Sequence, residues 1–136
     1  MFVVAVVISK TMKAANGTRV FVVDDEQVIA LTLTTILKQS GFDATAFNSP
    51  IEALEKAREE SPDLIISDVV MPGMSGVELA IQLQALCPNC KILLFSGQAA
   101  TADLLSAARK SGHNFELLSK PIHPTDLLRS IQNLAS

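Results

Sequence analysis

The chain has 136 residues, 49% of them apolar, and a formal net charge of −3. That length suits one domain with a proper core and is short for two, and the apolar content with no low-complexity tract excludes a disordered chain. A pI near 5.3 and the lack of any Lys/Arg cluster argue against direct nucleic-acid binding, which needs a basic face.

Residues 1–17 read differently from the rest. Residues 2–8 (FVVAVVI) are an apolar run, far shorter than the ~20 residues of a membrane span. Lys10 and Lys13 follow that run, whereas a signal peptide carries its basic residues before it. The expectation is a flexible N-terminal extension over 1–17, with Met12 as an alternative start, ahead of one domain over 18–136. Two cysteines in a core-rich domain do not make a disulfide framework, so a reducing, cytoplasmic setting without membrane contact is expected.

From residue 19 onward, apolar runs alternate with helical patterns. Residues 19–23 (RVFVV) predict a strand that stops at Asp24 and Asp25. Ile29, Leu33, Ile36 and Leu37 fall at helical spacing, which predicts a helix over 26–40 ended by Gly41. Residues 42–47 (FDATAF) alternate as a half-buried strand. Ser49-Pro50-Ile51-Glu52 is a capping box with proline at the first helical position, opening a helix to about residue 60. Pro62 precedes the third strand, 63–67 (DLIIS), which stops at Asp68. A loop with Pro72, Gly73 and Gly76 leads into a second capping box, Ser75-Gly76-Val77-Glu78, and a helix to about residue 86. Residues 91–95 (KILLF) form the fourth strand, 101–111 the fourth helix and 115–118 (FELL) the fifth strand. A last helix over 124–134 places Leu127, Leu128, Ile131 and Leu134 on one side.

Five strand-then-helix units predict an α/β fold, a doubly wound parallel sheet with five flanking helices. The strands RVFVV, DLIIS and KILLF are near-continuous apolar runs, as strands covered on both faces must be. Ligands of such sheets bind at the carboxyl ends of the strands. There the chain order places Asp24 and Asp25 after the first strand, Asp68 after the third, Ser96 after the fourth and Lys120 after the fifth. Singly, each has an ordinary role as a helix cap, a turn residue or a solvated lysine. Together on one edge they form a site. Three carboxylates repel, and a divalent cation relieves the repulsion; all-oxygen ligands suit Mg²⁺. A metal beside a lysine suits an anionic phosphoryl group, which an aspartate oxygen can attack.

VVDDE, SDVVMPGMSG, LLFSGQ and LSKPIHP, in this order over residues 19–135, resemble the motifs of bacterial two-component response-regulator receiver domains. The resemblance implies a flavodoxin-like sheet of order 2-1-3-4-5. It implies that Asp68 accepts a phosphoryl group from a sensor histidine kinase. Asp25 would bind Mg²⁺ directly and Asp24 through water, with Asp68 and the Val70 carbonyl as further ligands. Ser96 would hydrogen-bond the phosphoryl group and Lys120 would pair with it, while Gly97 leaves room for the donor. The Lys120–Pro121 bond is expected to be cis. The protein would be a switch rather than an enzyme, with Mg²⁺-dependent self-phosphorylation and slow autodephosphorylation, as a monomer or a weak phosphorylation-dependent dimer. Its readout face would be the fourth helix, fifth strand and fifth helix. With the sequence stopping after the fifth helix, the signal is expected to pass to a separate downstream protein; a phosphorelay intermediate or phosphate sink is the alternative. Many relatives carry an aromatic residue three positions before the lysine. Here that residue is Leu117, so coupling through the Ser96 shift, or readout on another face, is expected instead of aromatic rotation.

Other classes fit less well. Cys87-Pro88-Asn89-Cys90 is a C-x-x-C motif, the mark of a redox or zinc module, yet it follows a helix and precedes a strand, opposite to a thioredoxin-like placement. His113 falls at the same sheet edge, but a structural zinc needs a fourth ligand and none is evident. His123, beside Lys120, reads as a loop residue before Pro124. A dehalogenase-type phosphatase needs a second aspartate where Val70 stands, and no phosphate-binding P-loop is present.

Overall fold

The computed structural model describes residues 17–97, 101–119 and 122–135, without the side chains of 101, 102 and 135. The N-terminal extension over residues 1–16, Lys120 and the Lys120–Pro121 bond lie outside the described residues.

Strands and helices alternate along the chain: β1 Arg19–Val23, α1 Gln27–Gln39, β2 Asp43–Phe47, α2 Pro50–Glu59, β3 Leu64–Asp68, α3 Gly76–Leu86, β4 Lys91–Ser96, α4 Thr101–Lys110, β5 Glu116–Ser119 and α5 Pro124–Ala135. All strand pairs are parallel, in the order β2-β1-β3-β4-β5, the expected doubly wound sheet. Among the described residues no helix is long and apolar enough to cross a membrane.

The period-2 alternation of side chains divides each central strand between two helical layers. Val20, Val22, Leu64, Ile66, Leu93 and Phe95 pack with Leu33 and Leu37 of α1 and Leu127, Leu128 and Ile131 of α5. Phe21, Ile65 and Leu94 point the other way, into Leu54 of α2, Leu79 and Leu83 of α3 and Leu105 of α4. Each fully buried Leu, Ile or Phe contributes about 1.5–3 kcal/mol of transfer free energy. These two layers therefore hold the sheet, and the strand ends are left for other work.

Local details depart from the sequence expectations by a residue or so. β3 and β4 each run one residue further, so Asp68 and Ser96 are the last residues of their strands. β5 begins at Glu116, which leaves Phe115 ahead of the strand, half-buried against the α2–α4 layer. β5 is an edge strand with β4 as its partner, so its burial pattern cannot mark its ends as cleanly as in β3. Ser75 caps α3 as its capping box predicts, its Oγ accepting the Glu78 N–H at 3.1 Å. Ser49 makes no side-chain cap on α2, and its carbonyl accepts the Ala53 N–H instead.

Candidate functional site

The strand register explains how residues distant in sequence meet. Val23 is opposite Ser67, Asp68 is opposite Phe95, and Ser96 is opposite Ser119. The ends of β1, β3, β4 and β5 therefore lie side by side. Between β1 and β3 the chain reverses its direction of progress through the sheet, and in open α/β sheets that switch point is where a crevice forms.

Asp24, Asp25 and Asp68 converge there, each with a carboxylate oxygen within 4.8 Å of the others. Asp24 is fully buried and Asp68 is 5% exposed, while Asp25 faces solvent. Asp24 is fixed by its backbone and its side chain. Its N–H donates to Phe47 O at 3.1 Å, extending the β1–β2 ladder, and its Oδ1 accepts the Glu26 N–H at 2.9 Å. The second bond closes an Asx turn that launches α1. Ser96 is buried at the neighbouring strand end. A cavity of about 530 Å³ opens over Asp25 and Asp68, walled by these two with Glu26, Val70, Met71, Pro72 and Gly97.

Two negative charges at this separation repel by roughly 3 kcal/mol at an effective dielectric of 20. A divalent cation reverses that sign. Twice a Mg²⁺–oxygen bond is about 4.2 Å, so the carboxylate spacing fits one small, oxygen-liganded ion with modest side-chain adjustment. This acidic pocket is compatible with Mg²⁺.

Of the sequence-predicted site residues, the structure brings together Asp24, Asp25 and Asp68, sets Val70 and Gly97 on the cavity wall and puts Ser96 on the adjoining strand end. Ser119, which precedes Lys120, pairs with Ser96 at the same edge; Lys120 itself lies outside the described residues.

Sequence reasoning missed the part played by Gly76. A Cβ at this position would run into the carbonyl oxygen of Asp68 and lie 2.9 Å from its carbonyl carbon and 3.0 Å from Ser67 Oγ. The Gly76 N–H donates to Val69 O at 2.8 Å, and Ser67 Oγ donates to Asp68 O at 2.9 Å. The first residue of α3 is thus stitched directly onto the strand end that carries Asp68. A glycine inside a capping box was the available signal, because glycine is a poor helix former and a costly choice there unless a backbone approaches closely.

The opposite edge has a different character. Cys87 ends α3 and Cys90 precedes β4, joined by a turn in which Cys90 N–H donates to Cys87 O at 3.0 Å. Both thiols are free and buried. Burial pushes the Cys87 thiol up and, with the neighbouring sulfur and Asp63 adding to it, pushes Cys90 up to about 12. Protonated thiols of this kind are poor nucleophiles. His113 is engaged elsewhere, with Nδ1 3.2 Å from Gln84 Oε1 and its ring stacked on Phe115. Among the described residues the three aspartates are the group of His, Cys, Asp or Glu with metal-ligand spacing. His123 is exposed, and its carbonyl accepts the Leu127 N–H at the start of α5.

Comparison with known proteins agrees with this geometry. Residues 20–132 match the response regulator receiver domain family. The chain is 32% identical over 116 residues to the response regulator receiver protein CpdR of Brucella abortus, covering 85% of this chain and 95% of CpdR. It is 35% identical over 115 residues to the transcriptional regulatory protein CreB of Escherichia coli, covering 85% of this chain and 49% of CreB, so it spans about half the length of that relative. Among solved structures, a CheY-like response regulator receiver domain protein from Methanospirillum hungatei superposes with a TM-score of 0.79 at 27% identity, over 88% of this chain and 94% of that one. Chemotaxis protein CheY4 of Vibrio cholerae gives 0.75 at 29% identity, over 87% and 98%. With its switch-point aspartates and its β2-β1-β3-β4-β5 sheet, this chain belongs to the receiver-domain family of two-component response regulators.

Proposed function

We propose that Asp68 accepts a phosphoryl group from the phosphohistidine of a sensor histidine kinase, and that the resulting acyl phosphate changes the affinity of this domain for a separate protein. The observation that carries the reading is the position of Asp68: nearly buried, at a strand end, lining the cavity with Asp25 and with its carboxylate close to those of both Asp24 and Asp25. In the transfer, an Asp68 oxygen attacks phosphorus as the phosphorus–nitrogen bond of the donor breaks. The bonding pair stays on the imidazole, which leaves neutral after taking a proton from solvent. Hydrolysis of the acyl phosphate later restores the carboxylate.

Asp24, Asp25, Asp68 and the Val70 carbonyl are the groups that would hold Mg²⁺. When bound, the ion neutralises the carboxylates and the equatorial phosphoryl oxygens. Ser96 donates its hydroxyl to a phosphoryl oxygen, Lys120 pairs with another, and Gly97 keeps the cavity mouth clear. Phosphorylation adds about 1.5–2 negative charges, and Ser96 transmits that change to the segment following β4. Leu117, 39% exposed on β5, has no ring or hydroxyl with which to exchange a polar for a buried state, so the coupling does not depend on it. The functional unit is residues 18–136, acting in the cytoplasm as a monomer or weak dimer.

Intact-mass analysis after incubation with acetyl phosphate and Mg²⁺ tests the reading. The expected result is one added phosphoryl group, absent without Mg²⁺ and absent in Asp68→Ala. No addition to the wild type, or addition that survives Asp68→Ala, contradicts it.

A further inference from the structure

The two peptide groups between the Asp68 side chain and the Val70 carbonyl are both held by hydrogen bonds. The Val69 N–H donates to Phe95 O of β4 at 3.1 Å, and the Val69 carbonyl accepts the Gly76 N–H of α3 at 2.8 Å. The Asp68 carbonyl lies on the opposite side of the same planar peptide as the Val69 N–H, so it faces away from β4 and toward the side of β1. The β1–β3 pairing stops at Val23 and Ser67, and β1 then leaves into the Asx turn at Asp24. One residue beyond that ladder, the Asp68 carbonyl accepts the hydroxyl of Ser67 at 2.9 Å. Ser67 is 1% exposed and follows Leu64, Ile65 and Ile66, so an apolar residue would suit its surroundings as well. A hydroxyl buried in such a strand is tolerated because it is hydrogen-bonded. Of these three bonds, two are made by backbone groups and one by a side chain. The identity of residue 67 therefore decides whether the peptide after Asp68 is held on both sides.

We infer that Ser67 is a positioning residue of the acidic site: its hydroxyl fixes the peptide plane that follows Asp68, and through it the direction in which Val70 presents its carbonyl to a divalent cation. The inference rests on reading Asp68 and the Val70 carbonyl as Mg²⁺ ligands. The plane can turn only about the bond from the Asp68 Cα to its carbonyl carbon, because the peptide bond itself is rigid. The Asp68 Cβ lies on the near side of that bond, so a turn leaves the carboxylate where it is. It moves Val69 and Val70 instead. Loss of the Ser67 hydroxyl therefore leaves the three carboxylates in place and loosens the carbonyl ligand. A group that orients a metal ligand without touching the metal acts on affinity for the metal first. Ser67 does not reach the phosphoryl position, since its hydroxyl is engaged beneath the strand end, next to Gly76.

The test titrates Mg²⁺ into the whole chain by calorimetry and compares Ser67→Thr with Ser67→Val. The two side chains have nearly one shape, both suit a strand, and they differ in a hydroxyl against a methyl. The Mg²⁺ dissociation constant is expected to stay at the wild-type value in Ser67→Thr and to rise on the order of tenfold in Ser67→Val, the scale for losing a group that orients a metal ligand. Ser67→Ala, which adds no bulk, is expected to match the valine variant and carries the comparison if the valine does not fold. Labelling by acetyl phosphate gives the second readout. At Mg²⁺ saturating for each variant the rate is expected to be near that of the wild type, and at limiting Mg²⁺ to fall in step with the weakened binding. Wild-type Mg²⁺ affinity in Ser67→Val and Ser67→Ala overturns the positioning role, even if those variants melt earlier. Equal weakening in the threonine and valine variants overturns it too, because bulk and not the hydroxyl would then be responsible. A wild type that binds no Mg²⁺ overturns instead the metal-site reading beneath it.

Discussion

The two edges of the sheet hold comparable numbers of chemically capable side chains and differ in what the fold does with them. At the carboxyl edge, three carboxylates are held close together, two of them buried and one of those fixed by a backbone N–H. At the amino edge, two buried thiols lie in a tight turn, and the one nearby histidine is paired with Gln84 and stacked on Phe115. The first edge concentrates like charges, which can be tolerated only if a cation or anion-binding chemistry makes use of them. The second edge keeps its thiols protonated and buried. Chemical potential in a sequence becomes a site where the fold leaves a conflict unresolved, and becomes core where the fold resolves it.

The contrast can be broken at either edge. The largest effect after loss of Asp68 itself is expected from Asp25→Asn, which removes one charge of the cluster without changing its shape. The Mg²⁺ concentration for half-maximal phosphorylation by acetyl phosphate should rise by roughly 10–100-fold, the usual scale for damage to a metal site. An unchanged Mg²⁺ dependence would mean that the aspartates are not the ligands. Gly76→Ala comes next. The new methyl must displace the Asp68 carbonyl, so a urea-unfolding loss of about 1–3 kcal/mol, the range for overpacking a well-filled site, should accompany slower phosphorylation. Full stability and full labelling in that variant would show that α3 is not seated against β3 as described.

The smallest effect belongs to the amino edge. The unfolded Cys90 thiol ionises near 9.0, whereas the folded one keeps its proton to about 12. Between those values the unfolded chain binds fewer protons than the folded chain, so stability falls as pH rises. Below about 9 the contribution is complete. Chemical denaturation from pH 8 to 11 should therefore show a decline that is shallower in Cys90→Ala, while phosphorylation of that variant at pH 7 is unchanged. A C-x-x-C variant with impaired phosphorylation at neutral pH would contradict an inert amino edge.

Much of this was legible in the sequence because the strong signals are local. Continuous apolar runs such as VFVV and LII mark strands covered on both faces, and their order alone puts Asp24, Asp25, Asp68 and Ser96 on one edge. The less legible features depend on partners far along the chain. Gly76 matters through a contact with the backbone of Asp68, which no helical pattern encodes. The boundary of β5 depends on β4 alone, so Phe115 reads as strand and sits outside it. Ser49 and Ser75 have the same capping-box pattern, yet only Ser75 uses its side chain, because hydroxyl orientation follows the approach of the loop and not the motif.

The most direct measurement is the location of the phosphoryl group. Protein phosphorylated by acetyl phosphate and Mg²⁺ is reduced with borohydride, which converts an aspartyl phosphate to homoserine, and the digested peptides are sequenced by mass spectrometry. The account places homoserine at position 68 and aspartate at 24 and 25. Homoserine at either of those two positions, or phosphate found on Ser96 or a histidine with Asp68 unmodified, would contradict it.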